Sequence, residues 1–544
     1  MNSATANAPQ SMQFDAIIVG AGIAGMYAIY KLRQLGMKIK CIETGTDVGG
    51  TWYWNRYPGA RVDSEAYIYH YWFDKQLESK WQWSERFPAQ PETERYLQFI
   101  ADACDLRKDI QFSTTVTSAT WDEGRQRWTV ETDGGDVYDT QFYVSCGGML
   151  SANAALMGQF EGEQDFNGKI LYTARWPREN IDYKGKKVGV VGTGATGIQV
   201  IQTIAPQCDD LKVFMRTPQF ITPMRNPKYT ADDNKRFIDQ FDQMKQRVKN
   251  TFSGFDYDFE GKPFAETTRE ERLARYERLW ADGSLSFWLT GYTESFFDES
   301  VNQEVTDWVS ERMRERIKDP ALCEQLIPTT YGFGTHRVPL ETRYLEAYLL
   351  PQTQIVPVKD NPIKRILPQG LELADGSVHA LDILIFATGF DAGSGALSKQ
   401  NVKGRGGRSL TEEWKREIRT TMGLQIHGYP NLFATATPLS PSAALCNMTT
   451  CLQTQVDWIS DAIAHMRANG RSVMEPSAQA EEAWVQHHEE TSGMTLFVKT
   501  DSWYVGSNVE GKPRRMLSYC GGVGEYHRRI DEVRDKGYEG FTID

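Results

Sequence analysis

The stretch Ala16-Ile17-Ile18-Val19-Gly20-Ala21-Gly22-Ile23-Ala24-Gly25 decides the fold, and Val188-Gly189-Val190-Val191-Gly192-Thr193-Gly194-Ala195-Thr196-Gly197 repeats its design. Each is a short apolar run with strand character, then GxGxxG, then a segment that reads as helix. The first glycine allows a tight turn, the second lets the backbone approach a pyrophosphate, and the third lets helix pack on strand. The helix N-terminus then faces the phosphates with free N–H groups and a positive dipole end. One such motif is weak evidence. Two in one chain, each between a strand and a helix, point to two dinucleotide sites and to electron transfer between two cofactors. The fold class is therefore α/β, with two Rossmann-like dinucleotide-binding domains and a helical insertion.

The residues after each return strand separate the two nucleotides. After the first fingerprint, Lys38–Ile42 reads as a strand ending at Glu43. A carboxylate there accepts from ribose hydroxyls and repels a 2′-phosphate, which suits FAD or NAD. After the second, Leu211–Phe214 leads into Met215-Arg216-Thr217. Arg216 can pair bidentately with a 2′-phosphate and Thr217 can add a hydroxyl, which suits NADPH. The bland alternative for Arg216 is an exposed strand-end cation. Leu381–Phe386 reads as a buried strand running into Ala387-Thr388-Gly389-Phe390-Asp391, a turn common late in two-dinucleotide flavoproteins, which adds Asp391 to the cofactor set. FAD plus NADPH follows.

The bulk properties agree. At 544 residues, with 40% hydrophobic and 24% charged residues, the chain has soluble-globular composition. A net charge of −12 without a dense Lys/Arg run argues against nucleic acid, and Arg405 and Arg408 read as solvated turn residues. No apolar run is long enough to span a membrane. The apolar stretch Phe14–Tyr30 carries Asp15 and belongs to the first fingerprint rather than to a signal peptide. Eight cysteines without a framework predict a reducing, cytoplasmic compartment. There is no CxxC, which disfavours a disulfide reductase. Cys446 and Cys451 read by default as buried small side chains, with redox partnership as the minor alternative. No metal site is expected, and the oligomeric expectation is a monomer or weak homo-oligomer.

The expected organisation is a tail over 1–12, an FAD-binding domain from 13–149 and 386–544, an NADP-binding domain from 150–218 and 331–385, and a helical insertion over 219–330. Within the insertion, Thr230-Ala231-Asp232-Asp233 resembles a capping box and Thr268-Arg269-Glu270-Glu271 caps a second helix. Phe237, Phe241, Met244 and Val248 recur at helical spacing, as do Val305, Trp308, Val309, Met313 and Ile317. These stripes read as core faces. A late helix is expected near Thr454–Met466.

Two further segments carry a family resemblance. Gly49-Gly50-Thr51-Trp52-Tyr53-Trp54-Asn55-Arg56-Tyr57-Pro58-Gly59-Ala60-Arg61-Val62-Asp63 resembles the GGxWxxxxYPGxxxD signature of type I Baeyer–Villiger monooxygenases. Phe166-Asn167-Gly168-Lys169-Ile170-Leu171-Tyr172-Thr173-Ala174-Arg175-Trp176-Pro177 resembles their FxGxxxHxxxWP, in which Phe166, Gly168 and Trp176 keep the pattern. With both fingerprints and Ala387–Asp391, the resemblance spans nearly the whole chain. Met215–Pro218 and Ser440–Ala443 are worded most like the phenylacetone and steroid monooxygenase branch.

The resemblance implies that NADPH reduces FAD, that the reduced flavin takes up O₂ as a deprotonated C4a-peroxide, and that this attacks a hydrophobic ketone to give an ester or lactone. Negative charge on peroxide and adduct asks for a cation that cannot hand over its proton, hence Arg. The match is Arg337 in Gly334-Thr335-His336-Arg337, with Asp63 as the acid that holds it; a turn cap is the bland alternative for Asp63. Gly50, Thr51 and Trp52 fall on the flavin side, and Trp503 matches a tryptophan the family places on the nicotinamide cofactor. The pocket wall is expected in Pro438–Met448, at Ala443, Ala444 and Leu445, with Met149 and Leu150 opposite. Two departures stand out. Tyr172 replaces the signature His, and His336 replaces the Lys that helps hold the 2′-phosphate, which weakens the preference for NADPH. Oxygenation of nitrogen or sulfur, and an uncoupled flavin–NADPH protein, remain alternatives, with sulfoxidation as a side activity of the first reading.

Overall fold

The computed structural model describes residues 11–259 and 261–544. The first fingerprint strand, Met12–Val19, lies between Ile39–Ile42 and Val137–Ser145, parallel to both. Ile110–Gln111 extends one side. On the other, Val116–Asp122 and Arg127–Thr132 add antiparallel strands. Two late strands join the same sheet in parallel, Val402–Lys403 on Val116–Asp122 and Leu432–Ala434 on Val137–Ser145. One sheet thus draws on both ends of the chain. Ala16, Ile17 and Ile18 are fully buried, as a parallel strand covered on both faces requires.

A second, all-parallel sheet has the order Thr353–Pro357, Asp210–Met215, Lys187–Val191, Ile383–Phe386, Lys169–Tyr172. Its central strand, Lys187–Val191, carries the second fingerprint. Beside it, Ile363–Leu367, Gly370–Leu373 and Val378–Ala380 form a small antiparallel sheet.

Each fingerprint strand feeds a helix, Ile23–Gln34 capped at Gly22 and Ala195–Ile204 capped at Gly194. Neither N-cap makes a side-chain cap hydrogen bond, and neither first turn holds an acid. The leading N–H groups are left for a ligand, and the dipole end stays positive. The third glycine sets the approach of helix to strand. A Cβ on Gly25 would stand 1.7 Å from the Gly20 carbonyl oxygen, and one on Gly197 would stand 2.2 Å from that of Gly192.

The insertion is helical. Thr230 and Asp233 form a reciprocal capping box on Ala231–Asp239, and Thr268 with Glu271 forms another on Arg269–Asp282. The stripe from Phe237 to Val248 is split between two helices, Ala231–Asp239 and Phe241–Asn250. Phe241, Met244, Val248, Val305, Val309 and Met313 pack in one core with Val188, Val190 and Val213 of the second sheet. Those stripes are core faces.

Three expectations need correction. Met12 begins the first strand rather than ending a tail; positions 1–10 of the expected tail lie outside the described residues. The late helix spans Met448–Ala468, starting earlier because Thr449, Thr450 and Gln453 are polar yet buried. Arg405 is paired with Glu123 and Glu475, and Arg408 with Glu413, so neither is merely solvated. Among the described residues, no helix is long and apolar enough to cross a membrane, and no cluster of His, Cys, Asp or Glu could hold a metal ion.

Candidate active site

Both fingerprints open on one cavity of about 1100 Å³. Gly20, Gly22, Glu43, Gly50, Thr51 and Trp52 line it on the side of the first sheet. Gly49 and Gly50 have φ of +128° and +53°, and a Cβ on Gly50 would stand 2.8 Å from the Cα of Gly22. The GG pair therefore lies directly against the phosphate turn. Glu43 is buried. Its carboxylate accepts from the N–H groups of Ala21 at 2.7 Å and Gly45 at 2.6 Å, while burial pushes its pKa up against those bonds. Trp52 donates its indole N–H to the Tyr69 hydroxyl at 3.0 Å, and both line the cavity.

Gly192, Gly194, Thr196, Arg216, Thr217, His336 and Trp503 line the same cavity from the second sheet's side. The Thr193 hydroxyl donates to the Thr217 carbonyl at 2.8 Å and fixes the strand end to the glycine turn. No atom lies within 4 Å of a Cβ built on Gly194, so that turn is open for a phosphate. Open glycine turns, unpaired helix N-termini, an acid at one strand end and Arg216 at the other fit FAD and NADPH respectively.

Arg337 and Asp63 stand where the two sides meet. The Arg337 guanidinium donates to the Asp63 carboxylate and, through Nη1, to the Ala443 carbonyl at 2.9 Å. It sits over the Trp288 ring at 5.5 Å from the centroid. Gly334, at φ +81°, makes the turn before it; a Cβ there would lie 2.5 Å from Trp288 Nε1. Burial is the largest single influence and works to lower the Arg337 pKa, but Asp63 together with Tyr504 and Tyr257 outweighs it and the pKa is raised. The cation is permanent.

Met149, Leu150 and Ala443 also line the cavity. Ala444 and Leu445 do not. Their side chains turn into the core that holds Phe497 and Tyr504, because the turn closed by the Leu445 N–H on the Ser442 carbonyl carries them away from the cavity. Asp391 is likewise off the cavity wall. Its carboxylate takes a salt bridge from buried Lys512 at 2.7 Å, and Asn508 donates to the Phe390 carbonyl at 2.9 Å. Together they fasten the segment after Trp503 to the Ala387–Asp391 turn. Gly25 and Gly197 act behind the cavity, at the helix–strand contacts described above.

The second signature is structural here. Phe166 packs in the core of the second sheet. A Cβ on Gly168 would stand 2.3 Å from the Asp382 carbonyl oxygen. Trp176 is 8% exposed within the main core. Tyr172 stacks on Phe386 at 5.1 Å, donates its hydroxyl to Glu163, and accepts from the Gly158 N–H at 3.1 Å. It thus ties the crossing segment near Gln159 and Phe160, which line the cavity, to the second sheet.

Sequence reasoning missed several residues. The Tyr57 hydroxyl reaches Gln199 at 3.0 Å and joins the first signature to the second fingerprint's helix. Its place inside YPG was the available signal. Lys512 and Tyr504, whose hydroxyl donates to the Ala444 carbonyl at 3.0 Å, gave none.

His336 is stacked on Tyr331 at 4.0 Å, and burial pushes its pKa down to about 4, helped by Arg216. It is neutral at pH 7 and adds no charge for a phosphate. His488 and His527 are also pushed down to about 4 by burial. For all three, the folded pKa lies below the unfolded value of about 6.5. Stability is therefore full above pH 6.5 and falls with acidification toward pH 4, as the unfolded chain takes up protons the folded chain refuses. Three such groups give a slope of at most about 4 kcal/mol per pH unit. The thermal midpoint should drop steeply between pH 6.5 and 4.5; a flat profile there would contradict the burial of these rings.

A family described as "FMO-like: Flavin-binding monooxygenase-like" matches residues 15–229. The chain is 55% identical over 529 residues to "Acetone monooxygenase (methyl acetate-forming)" of Gordonia sp. (strain TY-5), covering 97% of this chain and 99% of that one. It is 36% identical over 536 residues to "Baeyer-Villiger monooxygenase" of Pseudooceanicola batsensis, covering 98% and 96%. The fold superposes on OTEMO in complex with FAD and NADP with a TM-score of 0.93 at 35% identity, covering 98% and 100%. Two nucleotide cradles facing one cavity with a fixed guanidinium define a flavin monooxygenase that uses a nicotinamide reductant. Within that class, the chain belongs to the type I Baeyer–Villiger monooxygenases.

Proposed function

We propose that this chain inserts one atom of O₂ beside the carbonyl of a small aliphatic ketone, acetone among them, and releases the ester. The oxygenase reaction with FAD and NADPH is that of its family. When bound, FAD reduced by NADPH supplies the activated oxygen. The observation that carries the reading is Arg337, held by Asp63 and the Ala443 carbonyl at the junction of the two cradles.

The protein's own contribution is positioning and charge. Glu43 and the Gly20–Gly25 turn hold the adenosine end of FAD, and Gly49–Trp52 closes over that turn. Arg216 and Thr217 take the 2′-phosphate of NADPH, with neutral His336 beside them. Trp503 lies on the nicotinamide side, on a segment fastened by Lys512. Arg337 stabilises negative charge on the oxidant and then on the ketone oxygen, and surrenders no proton while doing so. Met149, Leu150, Ala443 and Met448 line the cavity with apolar surface and exclude water from the reacting carbonyl. A permanent cation disfavours N- or S-oxygenation as the main reaction, which asks for a protonated oxidant; sulfoxidation remains a side activity. Eight free cysteines support a reducing, cytoplasmic compartment. We take the enzyme to be monomeric or weakly associating.

The small substrate rests on the 55% identity to an acetone monooxygenase. Apolar transfer alone would favour larger ketones by about 0.8 kcal/mol per methylene. A preference for acetone therefore requires a wall that rejects extra carbons, at about tenfold or more each. Measured kcat/KM should fall from acetone and butanone to cyclohexanone and aryl ketones. A rise along that series would contradict the small-ketone reading and leave the oxygenase reading standing.

A further inference from the structure

Cys446 and Cys451 flank the start of the 21-residue helix Met448–Ala468, which is capped at Asn447. Their sulfurs are in contact at 2.8 Å. Cys446 lines the active-site cavity beside Ala443 and Met448, and its N–H bonds to the Ser442 carbonyl within the pocket loop. Cys451 is fully buried behind it, with Val523 and Met448 around the pair. A thiol facing the cavity is thus backed by a second thiol the cavity does not reach.

We infer that Cys446 and Cys451 are a modification site that closes to a reversible disulfide with hydrogen peroxide formed in the cavity. The source of the peroxide rests on the function proposed above: when no ketone is present, NADPH, a proton and O₂ give NADP⁺ and hydrogen peroxide. Cys446 is the attacking sulfur, since of the two it alone faces the cavity. Its thiolate breaks the O–O bond, giving a sulfenic acid and hydroxide, and the hydroxide takes the proton the thiol released. The Cys451 sulfur then displaces the sulfenic hydroxyl, which leaves with the Cys451 proton as the second water. Two thiols lose two electrons in all, and one peroxide becomes two waters.

The geometry gives the pair a resolving partner. Burial and the neighbouring thiol raise the pKa of Cys451, so it stays protonated until the sulfenic acid forms in contact with it. Fast resolution spares Cys446 from irreversible oxidation. Cys146 also lines the cavity, but burial pushes its thiol up to about 12. It is the internal control. The disulfide would tie the pocket loop to the helix. The Ala443 carbonyl on that loop holds Arg337, so closure shifts the catalytic cation and slows turnover.

The test uses the FAD-loaded enzyme in two arms without ketone, one with NADPH and O₂, the other with added hydrogen peroxide and no NADPH. Free thiols are alkylated, and the digest is read by mass spectrometry. The expected result in both arms is a Cys446–Cys451 link, with free thiols falling from eight to six because one pair has closed. Cys146 stays alkylated. Ketone turnover falls severalfold and returns with dithiothreitol. In Cys451→Ser no link forms, and Cys446 goes on to sulfinic acid. If Cys446 and Cys451 remain alkylated in the peroxide arm, the inference is overturned. If the link forms with added peroxide but not with NADPH and O₂, the disulfide stands and its connection to turnover is overturned.

Discussion

Arg337→Ala should form ester about 10²–10³-fold more slowly while NADPH still reduces its flavin. The guanidinium touches none of the fingerprint residues; its partners are Asp63, the Ala443 carbonyl and the Trp288 ring. Removing it leaves both cradles intact and deletes the cation that Asp63 and the Ala443 carbonyl hold where they meet. Loss of one such preorganised donor costs about 10²–10³ in kcat, or about 3–4 kcal/mol, and a full charge in a cavity sheltered from water sits at the upper end. Arg337→Lys keeps the charge but cannot span both Asp63 and Ala443, so it should recover only part of the rate. Asp63→Ala leaves the guanidinium without its counter-charge, which costs stability as well as rate. Anaerobic flavin reduction followed by product analysis separates the steps. Ester formation by Arg337→Ala at near the parent rate would remove Arg337 from the chemistry.

Gly25→Ala should lose FAD altogether, whereas Gly194→Ala should keep it and fail with NADPH. The first Cβ would stand 1.7 Å from the Gly20 carbonyl oxygen, which is backbone and cannot turn aside. The helix Ile23–Gln34 must lift off its strand, at an overpacking cost of at least about 1–3 kcal/mol, and its N–H groups leave the phosphate position. The Gly194 Cβ meets nothing within 4 Å in the protein, so fold and flavin survive. It would meet only the second nucleotide's phosphates. Flavin absorbance of the purified variants and the rate of NADPH-driven reduction read the two effects. Flavin-loaded Gly25→Ala, or normal NADPH reduction by Gly194→Ala, would contradict the cradle geometry.

The parts of the site legible in the sequence were those set by local backbone. A glycine turn between strand and helix has few solutions, so Gly20–Gly25 and Gly192–Gly197 could be read without tertiary information. So could Glu43, Arg216 and Thr217, whose place at strand ends follows from the same unit. Contacts set by the fold were not legible as contacts. Lys512 meets Asp391 across 121 positions, and Tyr57 meets Gln199 across 142, with no periodicity to announce either. The pocket loop shows the limit most plainly. Ala443, Ala444 and Leu445 are all small or apolar, and in an irregular loop nothing in their order says that Ala443 faces the cavity while its neighbours face the core. Arg405 and Arg408 misled in another way: Glu123 and Glu475 reach Arg405 from distant parts of the chain, and Glu413 reaches Arg408 from the short helix Leu410–Trp414 that follows it. The late helix was read short because its first buried turn is threonine-rich, and buried polar residues break the apolar pattern that marks a helix face.

The central claim is that one oxygen atom from O₂ is placed beside a ketone carbonyl in the cavity shared by both nucleotides. The most direct test is to supply acetone, NADPH and O₂ enriched in oxygen-18 to the FAD-loaded enzyme and to weigh the product. The account predicts methyl acetate carrying one heavy atom, at the ester oxygen between methyl and carbonyl, with NADPH consumed in step with ester. NADPH consumption matched only by hydrogen peroxide, for acetone and for every other ketone offered, would contradict it.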